Sequence, residues 1–181
     1  MSVPAAEVGS DAERSEALRI LDRLARRLLS TNTEVEFYFL GGAVIYQAFV
    51  AEPGTARVTA MFRSSEVVRQ AAQEVAEAEG LPGGWMHRTV RAALSDGAGK
   101  GDYVALAGLR AFAAPPEYVL AMKCAAMSLG EEFRETEDIR YVWRSMNLST
   151  AEEALAIVSR YFTERQLPAD IRERLEALEH S

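Results

Sequence analysis

A run of period-two alternation leads straight into a glycine pair. Val35, Phe37 and Phe39 alternate with Glu36 and Tyr38, and the run ends at Gly41-Gly42. Period two is the signature of a strand with one apolar face. Glycines at its end remove the Cβ atoms that would keep a ligand away from the backbone, so main-chain N–H groups there can approach a phosphate. The apolar stretch after the pair, residues 43–49, is expected to be a short helix, whose positive dipole end would add to such a site. A turn that needs small residues only for packing is the other reading of Gly41-Gly42.

The 181 residues are 49% hydrophobic, enough for one domain with a real core. Residues 1–10 read as a flexible N-terminal tail, 11–114 as an α/β core, and 115–181 as a helical C-terminal part packed on that core. In the core, Leu18, Leu21, Ala25 and Leu28 follow a capping-box start at Ser10. A second strand is expected over 57–62, and a helix over 65–79 stops at Gly80. A short helix over 85–94 and two strands joined by a tight turn at Gly108 complete it. Beyond it, Pro115-Pro116-Glu117 starts a nearly all-apolar helix, and Ile139, Val142, Trp143 and Met146 mark another that Asn147 ends. Ser149-Thr150-Ala151-Glu152-Glu153 caps a third, and Ile171, Leu175 and Leu178 mark the last. The expected fold class is α+β, a mixed sheet flanked by helices with a helical C-terminal half.

Several chemistries are excluded. A single cysteine, Cys124, sits in an apolar stretch and reads as a buried small hydrophobe. His87 and His180 are too few for a zinc site, and Gly97-Ala98-Gly99-Lys100-Gly101 lacks the spacing and hydroxyl of a P-loop. Trp85 and Trp143 read as core anchors. No apolar run reaches the roughly 20 residues of a membrane span, and the N-terminus has no signal-peptide pattern, so no membrane association and a cytoplasmic location are expected. The net charge of −7 disfavours indiscriminate nucleic-acid binding. Residues 56–123 nevertheless carry eight Lys/Arg against seven Asp/Glu, leaving room for a local RNA-binding patch beside the reading of an ordinary mixed surface.

The stretches Phe39-Leu40-Gly41-Gly42-Ala43, Ala60 to Arg69, Gly80-Leu81-Pro82 with Trp85, Pro116 to Lys123, and Glu137-Asp138-Ile139 occur in an order that resembles minimal nucleotidyltransferases of the polymerase-β superfamily. The resemblance is to the AbiEii-type branch, found in bacterial toxin–antitoxin and abortive-infection pairs. It implies a minimal nucleotidyltransferase-like core and a nucleoside triphosphate as ligand. It also implies that Lys123 contacts nucleotide phosphates and that Asp138 is a carboxylate near the active site. In such families an Asp-x-Asp pair on the second strand holds the catalytic metal, and here those positions are Arg57 and Thr59. A guanidinium repels a cation and a threonine offers one neutral oxygen, so a conventional metal site is not expected. Asp96 and Asp102 are the nearby carboxylates that would have to be recruited instead.

Gly41, Gly42, Arg57, Lys123 and Asp138 are thus the candidate nucleotide-binding residues, with Arg57 and Thr59 at the degenerate metal positions and no catalytic residue or metal ligand assigned. Arg57 could substitute for metal charge and hold phosphates without transfer, or face solvent from an edge strand. Lys123 could reach a ligand, snorkel to solvent, or pair with Asp138. Two functions stay open. One is a catalytically inactive nucleotidyltransferase-like protein that binds a nucleotide, a nucleic acid or a protein partner, a second copy included. The other is an active enzyme that uses Mg to move a nucleoside monophosphate onto RNA or protein.

Overall fold

Strand β1 (Thr33–Leu40) is where the alternation places it, yet both of its faces are covered. The computed structural model describes residues 11–40, 43–51, 62–63, 65–94, 103–127 and 132–179. Ahead of β1 lies α1 (Asp11–Leu29). After it come β2 (Ala43–Val50), β3 (Phe62–Arg63), α2 (Ser65–Glu79), α3 (Trp85–Ala93), β4 (Tyr103–Leu106) and β5 (Leu109–Ala113). Helices α4 (Pro116–Ala126), α5 (Glu132–Ser145), α6 (Ala151–Val158) and α7 (Ile171–Glu179) follow, with a 3-10 turn over Glu164–Gln166. The strands form one mixed sheet in the order β3-β2-β1-β5-β4, in which β1 and β5 run parallel and the other neighbours antiparallel. The fold is α+β, as expected.

Two apolar bodies pack against the sheet. On one face Leu21, Leu24 and Leu28 of α1, Val68 of α2 and Val90 of α3 meet Val35 and Phe37. On the other, Val119 and Leu120 of α4, Ile139 of α5, Val158 of α6 and Leu175 of α7 enclose Tyr38, Leu40 and Ile45. Cys124 is fully buried there and Trp85 is buried on the first face, as read, while His87 is exposed. No described helix is long and apolar enough to cross a membrane.

Local signals hold where they are self-contained. Gly80 is left-handed, φ 63°, and Leu81 N–H reaches the Ala76 carbonyl at 2.9 Å, closing α2. Asn147 does the same for α5, with φ 52° and Leu148 N–H on the Trp143 carbonyl at 3.2 Å. The capping box between Thr150 and Glu153 is formed in both directions.

One expectation fails. Residues 43–49 are not a helix but most of β2, paired with β1 along its whole length from Thr33↔Val50 to Leu40↔Ala43. Val44, Ile45, Tyr46, Phe49 and Val50 are β-branched or aromatic, and cross-strand pairing rewards these more than the first turn of a short helix would. A Gly-Gly dipeptide between two such runs is equally a hairpin signal. No helix begins after the glycine pair, so the dipole contribution expected there has no source. Gly41-Gly42 themselves lie outside the described residues, as do the capping serine Ser10 and most of the expected strand over 57–62, Arg57 and Thr59 included.

Gly108 links the layers. It sits at φ 80° between the paired ends Leu106 and Leu109, and its carbonyl accepts the Val35 N–H at 2.9 Å. A Cβ built there would lie 2.5 Å from Leu29 Cγ at the end of α1. Gly108→Ala is therefore expected to lose about 1–3 kcal/mol of stability in urea unfolding, through left-handed strain and the forced shift of Leu29. Gly83→Ala, with an ordinary φ and nothing within 4 Å of its Cβ, should stay within about 0.5 kcal/mol of the parent. Equal effects would refute this account of the turn.

Candidate functional site

From Val119 to Ala126 helix α4 is buried on every side, packed between the sheet, α5 and α6, and Lys123 is its one buried cation among the described residues. An ammonium in such surroundings must find oxygen partners. Nζ donates to Asp138 Oδ2 on α5 at 2.8 Å and to the Tyr46 carbonyl of β2 at 2.7 Å, and it lies 5.9 Å from the Tyr46 ring centroid. Asp138 is about one-third exposed and Lys123 only 3%. Of the alternatives open for Lys123 the pair with Asp138 is the one formed, and it ties α4, α5 and β2 together at one point.

One helical turn beyond Asp138, Tyr141 donates its hydroxyl to the Leu40 carbonyl at 3.2 Å. Leu40 is the last described residue before Gly41-Gly42. Asp138, Tyr141 and Lys123 therefore stand against the hairpin whose connection is the glycine pair. Residues 3 apart on a helix share a face, which is why α5 can hold both contacts at once. Beside them Glu137, Arg140, Tyr141 and Arg144 line a shallow polar hollow of about 420 Å³. Arg134, four residues before Asp138 on α5, lies in a stretch whose side chains are not described.

A second polar cluster was not legible as a site. Glu36 and Tyr38 alternate with the apolar residues of β1, which reads as an outward face, but they are 1% and 0% exposed because α4 covers them. Glu36 accepts from the Tyr38 hydroxyl at 2.9 Å, from Arg110 Nη1 at 3.2 Å and from the Tyr118 hydroxyl at 3.5 Å. Arg110 is its register partner on β5. Gln47, its register partner on β2, is buried with an Oε1 that lacks a hydrogen-bond partner. The signal that could have found this cluster was Arg110 in an otherwise apolar strand, since a cation there needs an anion on the neighbouring strand.

Burial first, and then the charge of Glu36, pushes the Tyr38 phenol well above the ordinary tyrosine range. The hydroxyl therefore remains a donor to Glu36 at any physiological pH. The folded state holds this proton more tightly than the unfolded chain, so its stabilisation is complete below the unfolded value of about 10 and is lost as pH rises beyond it toward the folded value. The stability gap between the parent and Tyr38→Phe should be flat from about pH 7 to 9 and should narrow above about pH 10. A gap that stays constant throughout would show that the fold does not hold the phenol protonated.

Among the described residues no group of three or more His, Cys, Asp or Glu could hold a metal ion. Asp138, the one site carboxylate the resemblance supplied, already faces an ammonium. Comparison with protein-family models, with curated proteins and with solved structures finds no match to this chain.

Breaking the Lys123–Asp138 pair from the exposed side leaves a buried charge. Asp138→Ala is expected to cost about 2 kcal/mol, less than a fully buried pair because Asp138 is partly solvated. Lys123→Met added to it should recover at least half of that loss in the same urea titration, since an apolar side chain of similar length removes the stranded charge. A double variant weaker than Asp138→Ala alone would mean that the lysine contributes through its stem and not through the pair.

Proposed function

We propose that this chain is a nucleotidyltransferase-like protein that works by binding, with a nucleotide or nucleic acid as its ligand, and does not itself catalyse group transfer. The observation that carries the reading is the closed Lys123–Asp138 pair beside the β1–β2 connection. A transferase of this kind needs carboxylates that converge on a metal and a cation that faces the phosphates. Here Asp138 and Lys123, the carboxylate and the cation to which the resemblance gives these roles, neutralise each other. The sequence adds Arg57 and Thr59 where the metal-holding aspartates would stand. A guanidinium at that position supplies phosphate-binding charge without Lewis-acid chemistry. A regulatory place in a toxin–antitoxin or defence pair, with a protein partner, rests on the resemblance alone.

The test is calorimetric titration with ATP, GTP, CTP and UTP, each with magnesium and each with chelator. Binding of at least one nucleotide should be the same in both conditions and should weaken by roughly ten-fold or more in Arg57→Ala, the loss of a charge-assisted contact. Binding that requires magnesium, accompanied by release of pyrophosphate, would overturn the reading in favour of an active nucleotidyltransferase.

A further inference from the structure

A band of aromatic rings crosses the same end of the sheet. Phe112, near the end of β5, is the register partner of Tyr38 on β1 and of Tyr103 on β4. Ring centroids step from Tyr103 to Phe112 at 6.3 Å, from Phe112 to Tyr118 of α4 at 6.2 Å, and from Tyr118 to Tyr161, just beyond α6, at 5.9 Å. Tyr38 braces the middle from beneath, edge-on to Phe112 at 5.4 Å and to Tyr118 at 5.7 Å. The two ends are open. Tyr103 is 46% exposed and Tyr161 39%, two of the four large apolar or aromatic side chains exposed among the described residues.

Positive charge accompanies both ends. Arg110 lies over the Tyr103 ring at 5.0 Å and the Phe112 ring at 5.8 Å, fixed by its bonds to the Tyr103 hydroxyl and to buried Glu36. In the segment around Tyr161, Arg160 and Arg165 are exposed, as is Glu164 between them. Rings held in place by packing, open at the surface and flanked by guanidinium groups, are what single-stranded nucleic acid needs. Bases stack on the rings whatever their identity, and the exposed Arg160 and Arg165 can meet the phosphates, while the Arg110 charge is balanced by Glu36. The exposed ends of the band are separated by two intervening half-buried rings, and neighbouring rings are inclined by 52°, 50° and 71°.

We propose that the surface from Tyr103 to Tyr161 is a stacking platform for single-stranded nucleic acid, with at least one base on each exposed tyrosine. This deepens the proposed function by naming the ligand as a strand, and it rests on that reading. The net charge of −7 opposes phosphate binding, so affinity should be modest and should fall with salt.

The experiment is fluorescence anisotropy of the full chain with labelled ten-nucleotide poly(U) and oligo(dT), at low and at moderate salt. Binding is expected at low salt, with Tyr103→Ala and Tyr161→Ala each weakening it roughly ten-fold, the scale of one lost stacked base. Both side chains lie at the surface, and unchanged urea midpoints establish that the variants remain folded. Unlabelled UMP at the same nucleotide concentration should compete poorly. Absence of oligonucleotide binding, or binding indifferent to both substitutions, would overturn the platform. Competition by UMP equal to that of the strand would assign the surface to a free nucleotide and likewise overturn it. Oligonucleotide failure alongside metal-independent nucleoside triphosphate binding removes the platform alone, so the two proposals fail separately.

Discussion

Everything in this structure is arranged around a central strand that has no solvent face. β1 is hydrogen-bonded to β2 on one side and β5 on the other, and helices cover it above and below. A strand in that position should be apolar on both sides. β1 instead carries Glu36, and each element near that carboxylate is constrained by it. Arg110 on β5, Tyr38 on β1 and Tyr118 on α4 all direct donors to it, so the register of β5 and the seating of α4 are coupled to one buried charge.

The Lys123–Asp138 pair solves a similar problem from the opposite direction. A helix enclosed on every side has no solvent to which a lysine can extend, so its ammonium is satisfied by a neighbouring helix and by a strand carbonyl. Both buried charges lie between the sheet and α4. Together they make this layer specific as well as apolar, because sliding α4 would strand a cation and an anion at once. The opposite layer is held by hydrophobic packing, with its described ion pairs at the rim. There Glu79 receives Arg19 and Arg23, and Glu74 receives Arg27, across α1 and α2. Such rim pairs contribute little individually.

How much was legible depended on the range of the interaction. Helices with a clean 3.6-residue period and their own stop signals, such as α2 with Gly80 and α5 with Asn147, were readable because caps and periodicity act within a few residues. The hairpin of β4 and β5 was readable for the same reason. The stretch after Gly41-Gly42 was misread as a helix because its apolar run is short and fits both periods, and the pairing with β1 that decides it is not visible locally. Lys123 and Asp138 are legible only through the resemblance, with their pairing as one of three alternatives for the lysine. Glu36 was passed over because period-two alternation implies a wet face, which holds only when nothing covers the second side of the sheet.

The sequence by itself determined the α+β class, the helical C-terminal half and the helix ends. Each of these depends on residue identity and near-neighbour spacing. Only the tertiary structure decided that residues 43–50 form a strand, that Glu36 is interior, that Lys123 meets Asp138 and the Tyr46 carbonyl, and that rings from β4, β5, α4 and the end of α6 align into one band. Those outcomes join residues tens of positions apart, and burial on the second face of a sheet is set by what packs there and not by the strand itself.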